Sequence, residues 1–340
     1  MEKLKIKQIV FTKVNTAEFL EMDEFDISNL DKDSVVVKTE YSTISCGTER
    51  ANISGDKNVA PDTDNVPPFP RMLGYSSCGT VVATGTAVNN VSVGDRVVVF
   101  WGKHKNYNIS DKNNVVKIPD GIDMQDAALA FICAFSLAAI RKVKLEIGES
   151  CMIMGLGLLG QLAVKLAKLG GAYPVIACDM NEERRDFALQ NGADYAFNPL
   201  DKDFSDKVKE ITNGGANTAI EVTGVGAGLN EVLDCMAKFG RVALLGCTRS
   251  SDFTIDYYKK VHSPGITLVG AHTMARPNLE SSPNMWTHND DISAVLNLCK
   301  GNRISLKDIV KEVHSPEECF SVYSRLVSDR SFPIGVQFRW

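Results

Sequence analysis

The sequence of 340 residues predicts an α/β protein that joins a doubly wound parallel sheet to a β-rich region. Valine-rich runs such as residues 34–39 and Arg96–Phe100 alternate with turn residues through the first 120 positions, which indicates strands. Between about residues 150 and 270, short apolar runs alternate regularly with helical patterns. Such alternation is typical of a parallel sheet covered by helices on both faces.

Composition narrows the classes of partner. The formal net charge of -5 is spread without long runs of one sign, so we expect no nucleic-acid binding. No run of 18 apolar residues occurs, and the first residues lack the apolar block of a signal peptide. We therefore expect a cytoplasmic protein that does not bind membranes. None of the nine cysteines stands in a C-x-x-C pair, which favours isolated reduced thiols.

The strongest local signal is a glycine fingerprint. The apolar run Cys-Met-Ile-Met leads into Gly155-Leu-Gly157-Leu-Leu-Gly160, and a helical pattern follows at once. The first glycine permits the tight turn, the second admits a pyrophosphate to the backbone, and the third lets helix and strand pack closely. We predict that these glycines, with Leu158 and Leu159 between them, hold the phosphates of a dinucleotide at a helix N-terminus.

The next strand ends in Asp179, 19 residues beyond the last glycine of the fingerprint. A carboxylate at this spacing accepts hydrogen bonds from the adenosine ribose and repels a 2′-phosphate, so we predict NAD rather than NADP. Arg184 and Arg185 leave NADP possible, because an arginine there could hold the phosphate. The alternative interpretation is that Asp179 only caps the helix beginning near Asn181.

The chain resembles the medium-chain dehydrogenase/reductase superfamily, in particular its zinc alcohol dehydrogenase group. The resemblance covers nearly the whole chain and implies a GroES-like catalytic domain over residues 1–128, completed by 272–340, and a Rossmann domain over 129–271. Besides the fingerprint, it rests on Ser-Cys46-Gly-Thr-Glu49, Leu-Gly74-Tyr, Val-Gly-Asp95-Arg-Val, Glu221-Val-Thr-Gly and Gly240-Arg-Val-Ala-Leu-Leu-Gly.

The resemblance also implies cofactor contacts and assembly. Asp179 would bind the adenosine ribose with Arg184 beside it. The residues that it places on the nicotinamide side follow strand ends, and they are Thr223, Gly246, Cys247 and His272. A homodimer or homotetramer would form through edge strands of the Rossmann domains.

The sequence differs from the zinc alcohol dehydrogenases at the positions where that group has its zinc ligands. Cys46 occupies the place of the first catalytic ligand, but the G-H-E motif of the second reads Gly74-Tyr75-Ser76. Near the place of the third ligand stands only Cys133, shifted along its helix, and residues 100–120 contain no cysteine for a structural zinc. A catalytic zinc needs three protein ligands, so we predict that this chain binds no metal.

Without zinc, another group must stabilise the substrate oxygen. We expect Tyr75 or Thr48 to donate a hydrogen bond and a proton to it, with Cys46 lining the site. Tyr75 could instead be a packed aromatic that fills the vacated space. Glu49 is expected to hydrogen-bond within the site or to pair with Arg50 or Arg71.

Residues 273–287, which contain Arg276 and Trp286 and precede His288, are a candidate substrate lid or a surface or dimer-contact loop.

Three functions remain open. The first is a zinc-independent, NAD(H)-dependent dehydrogenase/reductase acting on a small-molecule alcohol or ketone, possibly a sugar or polyol. The second is an NAD(P)H-dependent reductase of activated double bonds or quinones, against which Asp179 argues. The third is a dinucleotide-binding sensor or structural protein without turnover.

Overall fold

A computed structural model describes residues 3–59 and 67–340. The proline-rich stretch 55–70 is typical of a loop in the sequence, and its residues 60–66 lie outside the described residues. The chain forms two compact units, Met1–Ile132 with Ile292–Trp340, and Cys133–Asp291. Residues 272–291, which the sequence assigned to the first domain, group with the second unit. They do so because Arg276 binds the carboxylate of Asp291 at 3.1 Å and the carbonyl of Ala134 at 3.2 Å.

The elements of the first half alternate short strands with two helices. They are β1 (Lys3–Leu4), β2 (Lys7–Lys13), β3 (Thr16–Glu21), β4 (Phe25–Asp26), β5 (Ser34–Thr43), α1 (Cys46–Ile53), β6 (Ser76–Thr84), β7 (Arg96–Phe100), β8 (Tyr107–Asp111), β9 (Val115–Lys117) and α2 (Met124–Lys142).

The second half begins with regular strand–helix alternation. Its elements are β10 (Cys151–Met154), α3 (Leu158–Leu169), β11 (Val175–Cys178), α4 (Glu182–Gln190), β12 (Tyr195–Phe197), α5 (Phe204–Ile211), β13 (Ala216–Glu221), α6 (Gly226–Asp234), β14 (Met236–Leu244), β15 (Thr267–Gly270), α7 (His288–Lys300), β16 (Val310–His314), α8 (Cys319–Ser328) and β17 (Gly335–Arg339).

The first unit is built on a seven-stranded sheet. Its strand order is β16-β17-β5-β6-β7-β9, with β8 also paired to β5, and all pairs except β16–β17 are antiparallel. Alternate valines of the central strands, among them Val35, Val37, Val97 and Val99, point into one buried cluster. Successive side chains of a strand point to opposite faces, so these alternate valines share one face of the sheet.

The second unit contains a six-stranded, all-parallel sheet in the order β12-β11-β10-β13-β14-β15. Counted from β10, this is the order 3-2-1-4-5-6 of a dinucleotide-binding Rossmann sheet, so the predicted fold class is confirmed. Met154 lies beside Cys178 and Glu221, and Glu221 lies beside Leu244. The carboxyl ends of the four central strands are therefore level, and the loops that follow them share one edge.

Helix α2 passes the length and composition test for a membrane span within the described residues. However, 78% of its most apolar 18-residue window is buried inside the protein. Its apolar residues are therefore accounted for by packing, as in the core helix of a folded domain.

Candidate functional site

The glycine fingerprint forms the turn between β10 and α3. Gly155 has a φ of 95°, which favours glycine, and a Cβ on Gly160 would lie 1.9 Å from the carbonyl oxygen of Gly155. Gly157 precedes the helix without a side-chain cap, and a Cβ there would meet nothing within 4 Å. Leu158 and Leu159 begin the helix, so the first N–H groups of α3 have no partners within the helix.

Asp179 ties this turn to the end of β11. Its Oδ2 accepts a hydrogen bond from the N–H of Leu156 at 2.8 Å, and its Oδ1 accepts one from Asn181 at 2.9 Å. The Arg184 guanidinium lies 3.8 Å from Oδ2, whereas Arg185 donates to the carbonyls of Asp179 and Met180. The cap of α4 is the side chain of Asn181, which accepts from the N–H of Arg184, so the capping alternative for Asp179 is wrong.

The predicted nicotinamide-side residues in the loops after β13 and β14 lie together. A Cβ on Gly246 would lie 2.4 Å from the nitrogen of Gly224, and one on Gly224 would lie 2.5 Å from the carbonyl oxygen of the exposed Cys247. The buried carboxylate of Glu221 accepts hydrogen bonds from the N–H groups of Thr223 at 2.8 Å and Gly224 at 3.2 Å, and from the Thr223 hydroxyl.

Burial raises the pKa of Glu221, while these donors oppose the rise. Glu221 was not singled out in the sequence, although an acid that ends a buried strand signals such a loop anchor.

His272 follows the end of β15 by two residues, on the same edge of the sheet. Its Nδ1 accepts a hydrogen bond from the N–H of Met274 at 3.3 Å, which turns the chain into the segment 273–287. The neighbouring strand β14 ends beside Gly270, so His272 projects from the edge strand of the sheet.

The segment 273–287 is anchored at both ends. The fully buried carboxylate of Asp291 binds Arg276 at 3.1 Å and Arg141 at 2.9 Å, and the Arg141 guanidinium lies 3.6 Å from the centre of the Trp286 ring. Burial, and then the Arg276 charge, lower the pKa of His288 to about 3, so this imidazole is neutral at physiological pH. Because contacts at Arg276 and Trp286 anchor the two ends of the segment 273–287, a lid movement would involve the residues between them.

In the first unit, Cys46 begins α1. Its Sγ lies 3.9 Å from the carbonyl oxygens of Ile44 and Pro333 and 3.8 Å from that of Ile334. Thr48 is half-buried two residues later, and its carbonyl accepts a hydrogen bond from the side-chain amide of Asn52 at 2.9 Å. Across residues 3–59 and 67–340, no three His, Cys, Asp or Glu side chains are grouped so that they could hold a metal ion.

Tyr75 is both packed and hydrogen-bonded. Its ring centre lies 5.8 Å from those of Phe131 and Trp101, and its hydroxyl donates to the Oγ of Ser45, the residue before Cys46. Trp101 has a φ of 60° and donates its N–H to the Tyr75 carbonyl at 2.9 Å. The tyrosine hydroxyl therefore reaches the same loop as Cys46, while the ring fills an aromatic cluster.

Glu49 is completely buried beneath this loop. It accepts hydrogen bonds from the N–H of Ser45 at 2.9 Å and from the hydroxyl of Tyr323 at 2.5 Å, and it lies 3.1 Å from Nε2 of His104. Burial and the Glu49 carboxylate raise the pKa of Tyr323 well above its usual value, so the phenol keeps the proton that it donates.

The expected pairing of Glu49 with Arg50 or Arg71 is wrong. Glu49 faces the interior from α1, whereas Arg50 donates to the carbonyl of Leu326, and Arg71 donates to the carbonyls of Pro67 and Asn52. His104 and Tyr323, the partners found instead, were missed because they lie 55 and 274 positions from Glu49 and belong to no motif.

Comparisons with known proteins identify the family. Residues 31–123 match the model of an alcohol dehydrogenase GroES-like domain, and residues 159–287 match that of a zinc-binding dehydrogenase. D-guloside 3-dehydrogenase of Escherichia coli (strain K12) is 25% identical over 274 residues, which cover 78% of this chain and 77% of that protein. The chain belongs to the medium-chain dehydrogenase/reductase superfamily.

Further relatives agree with this membership. L-threonine 3-dehydrogenase of Pyrococcus abyssi is 27% identical over 298 residues, which cover 78% of this chain and 82% of that protein. The structure of an alcohol dehydrogenase from E. coli CFT073, complexed with NADH, superposes with a TM-score of 0.83 at 18% identity and covers 98% of this chain and 99% of that one. The protein is thus an alcohol-dehydrogenase-type oxidoreductase.

Substitutions of the second and third glycines in the fingerprint of this dehydrogenase should separate cofactor binding from folding. We expect Gly157→Ala to leave the melting temperature unchanged, since its Cβ has open space, but to weaken NADH binding because the methyl group occupies the approach of the pyrophosphate. Gly160→Ala should lower the free energy of unfolding by roughly 1–3 kcal/mol or more through its backbone clash. Thermal denaturation and calorimetry with NADH measure both effects, and equal loss of stability in the two variants would contradict this division.

Proposed function

We propose that this protein is an NAD(H)-dependent dehydrogenase/reductase that works without zinc on an alcohol or ketone of the sugar or polyol type. The observation that carries the proposal is the hydroxyl of Tyr75, which bonds to Ser45 at the position where the zinc-dependent relatives have a histidine ligand. The guloside dehydrogenase among the relatives supports the substrate class.

The residues around Cys46 do not fit a catalytic zinc, which requires three protein ligands and an open position. Three main-chain carbonyl oxygens lie 3.8 to 3.9 Å from the Cys46 thiol. The carboxylate of Glu49 already accepts from Ser45 and Tyr323, and both ring nitrogens of His104 are engaged, by Glu49 and by Ser42. Recruiting these side chains would leave buried donors without acceptors.

Asp179 supports NAD over NADP. The carboxylate stands at the end of β11, bonded to the backbone of the phosphate-binding turn, which is where it can accept from ribose hydroxyls. A 2′-phosphate placed there would meet a fixed negative charge that the Arg184 guanidinium, 3.8 Å away, only partly offsets.

In the proposed reaction, NAD(H) supplies or accepts the hydride when bound. Tyr75 exchanges a proton with the substrate oxygen, and the half-buried Thr48 offers a second hydroxyl near the start of α1. Thr223, Gly246, Cys247 and His272 line the nicotinamide side of the Rossmann edge. We further propose a cytoplasmic homodimer or homotetramer that assembles through the edge strand β15.

The metal content and substrate range test the proposal directly. We expect zinc well below one equivalent per purified chain, and NADH oxidation with keto-sugars or ketones that 1,10-phenanthroline does not inhibit. Stoichiometric zinc whose removal abolishes turnover would contradict the zinc-free reaction. Turnover of enones or quinones alone would indicate a double-bond reductase, and tight NADH binding without any turnover would indicate a sensor.

The Asp179→Asn variant tests cofactor choice, because it keeps the size and one acceptor oxygen of the side chain and removes its charge. We expect the preference for NADH over NADPH, measured as the ratio of kcat/KM, to fall about 10- to 100-fold. Asp186→Asn, a charge change on the following helix, serves as the control. An unchanged ratio in Asp179→Asn would remove the argument for NAD.

The Tyr75→Phe variant tests the proton donor. The ring and its contacts with Phe131 and Trp101 are kept, so folding should persist, while kcat should fall by about 10²- to 10⁴-fold through loss of the acid. Steady-state kinetics with the most rapidly reduced ketone of the panel measure the effect. Wild-type kcat in this variant would leave Tyr75 as a packing residue and transfer the donor role to Thr48.

A further inference from the structure

Ser45 occupies the N-cap position of α1 but does not cap the helix. A serine at this position normally accepts a hydrogen bond from an N–H of the first turn. Here the side chain makes no such bond, and its Oγ accepts from the hydroxyl of Tyr75 instead. The usual structural reason for a serine at this position is therefore absent, and its hydroxyl is directed to the proposed proton donor.

The backbone of Ser45 is fixed by a buried network. Its N–H donates to Glu49, whose carboxylate is completely buried and also accepts from Tyr323 and contacts His104. These contacts come from segments far apart in the sequence, and together they fix the position of the loop before α1. The Ser45 Oγ consequently has little freedom to move away from Tyr75.

All hydrogen bonds of the network around Glu49 can form at once when one nitrogen of the His104 ring carries a hydrogen and the other accepts. The indole Nε1 of Trp340 donates to the Oγ of Ser42 at 2.8 Å, and this oxygen lies 2.7 Å from Nδ1 of His104. If Ser42 donates its proton to Nδ1, then Nε2 carries the hydrogen that points at Glu49. Every donor then has an acceptor, and the Glu49 carboxylate accepts from the N–H of Ser45.

We propose that Ser45 is the positioning residue of Tyr75 in the hydride-transfer reaction, an inference that rests on the proposed function. During ketone reduction, the hydride adds to the carbonyl carbon and the phenol O–H of Tyr75 breaks as its proton moves to the substrate oxygen. The Ser45 hydroxyl rotates to donate to the phenolate oxygen that is left, and solvent water later restores the phenol proton. A hydrogen bond to the charged form stabilises it and so strengthens Tyr75 as an acid.

A double-mutant cycle distinguishes this role from a structural one. We expect Ser45→Ala to lower kcat about 10- to 100-fold, with little change in the KM for NADH or in the melting temperature, since no helix-capping bond is lost. Ser45→Thr, which keeps the hydroxyl, should recover most of kcat. Ser77→Ala is the matched control, because Ser77 is a buried serine whose Oγ has no hydrogen-bond partner.

In the Tyr75→Phe background, Ser45→Ala should cause no further loss, because its effect acts through the tyrosine hydroxyl. Losses that add in the double variant, a wild-type kcat in Ser45→Ala, or failure of Ser45→Thr to recover activity would each overturn the role of Ser45. Those results leave an impaired Tyr75→Phe enzyme and the proposed function intact. Wild-type activity in Tyr75→Phe would instead overturn the donor assignment and the role of Ser45 with it.

Discussion

The buried carboxylate of Glu49 is the interaction on which the candidate catalytic loop depends. An ionised carboxylate without water is costly unless hydrogen-bond donors replace its hydration, and an unpaired one would instead take up a proton. Its contacts are the Ser45 N–H, the Tyr323 phenol and the His104 imidazole, which come from the strand–helix loop, α8 and the loop after β7. One carboxylate thus ties three distant segments of the first unit together and holds the backbone of Ser45.

In the second unit, two carboxylates likewise hold loops in place by accepting hydrogen bonds from backbone N–H groups. Asp179 accepts from the N–H of Leu156, and Glu221 accepts from those of Thr223 and Gly224, so each acid at a strand end holds the backbone of a loop at the edge where we propose that the cofactor binds. A carboxylate that binds two N–H groups fixes loop geometry more rigidly than apolar contact does. These loops are therefore shaped before the cofactor arrives, which reduces the ordering that binding must cost.

Local patterns in the sequence were sufficient for the parallel sheet and for the glycine turn between β10 and α3. The glycine spacing and the position of Asp179 are set within one strand–helix–strand unit, and strand order follows from the regular alternation of elements. The partners of Glu49 could not be predicted from the sequence. Proximity in sequence suggested Arg50, whereas His104 and Tyr323 approach Glu49 only when the first unit folds. The family resemblance assigned residues 272–291 to the first domain, and the buried binding of Arg276 to Asp291, which groups them with the second unit, leaves no periodic signal in the sequence.

In the proposed site, the phenol of Tyr75 takes the place of a zinc ion as the group that stabilises the substrate oxygen. The two groups stabilise this oxygen in different ways. A metal ion offers a fixed positive charge to the developing alkoxide, whereas a phenol offers a proton whose transfer leaves a negative charge behind. That charge forms beside the aromatic rings of Trp101 and Phe131, which provide little solvation, so a donor to the phenolate oxygen is needed. Ser45 is the side chain that bonds to this oxygen, and the anchored position of its backbone means that little reorganisation is needed when the proton leaves. In this proposal, the buried Glu49 network holds Ser45 in position to stabilise the Tyr75 phenolate, whereas a metal ion would stabilise the substrate alkoxide directly through its positive charge.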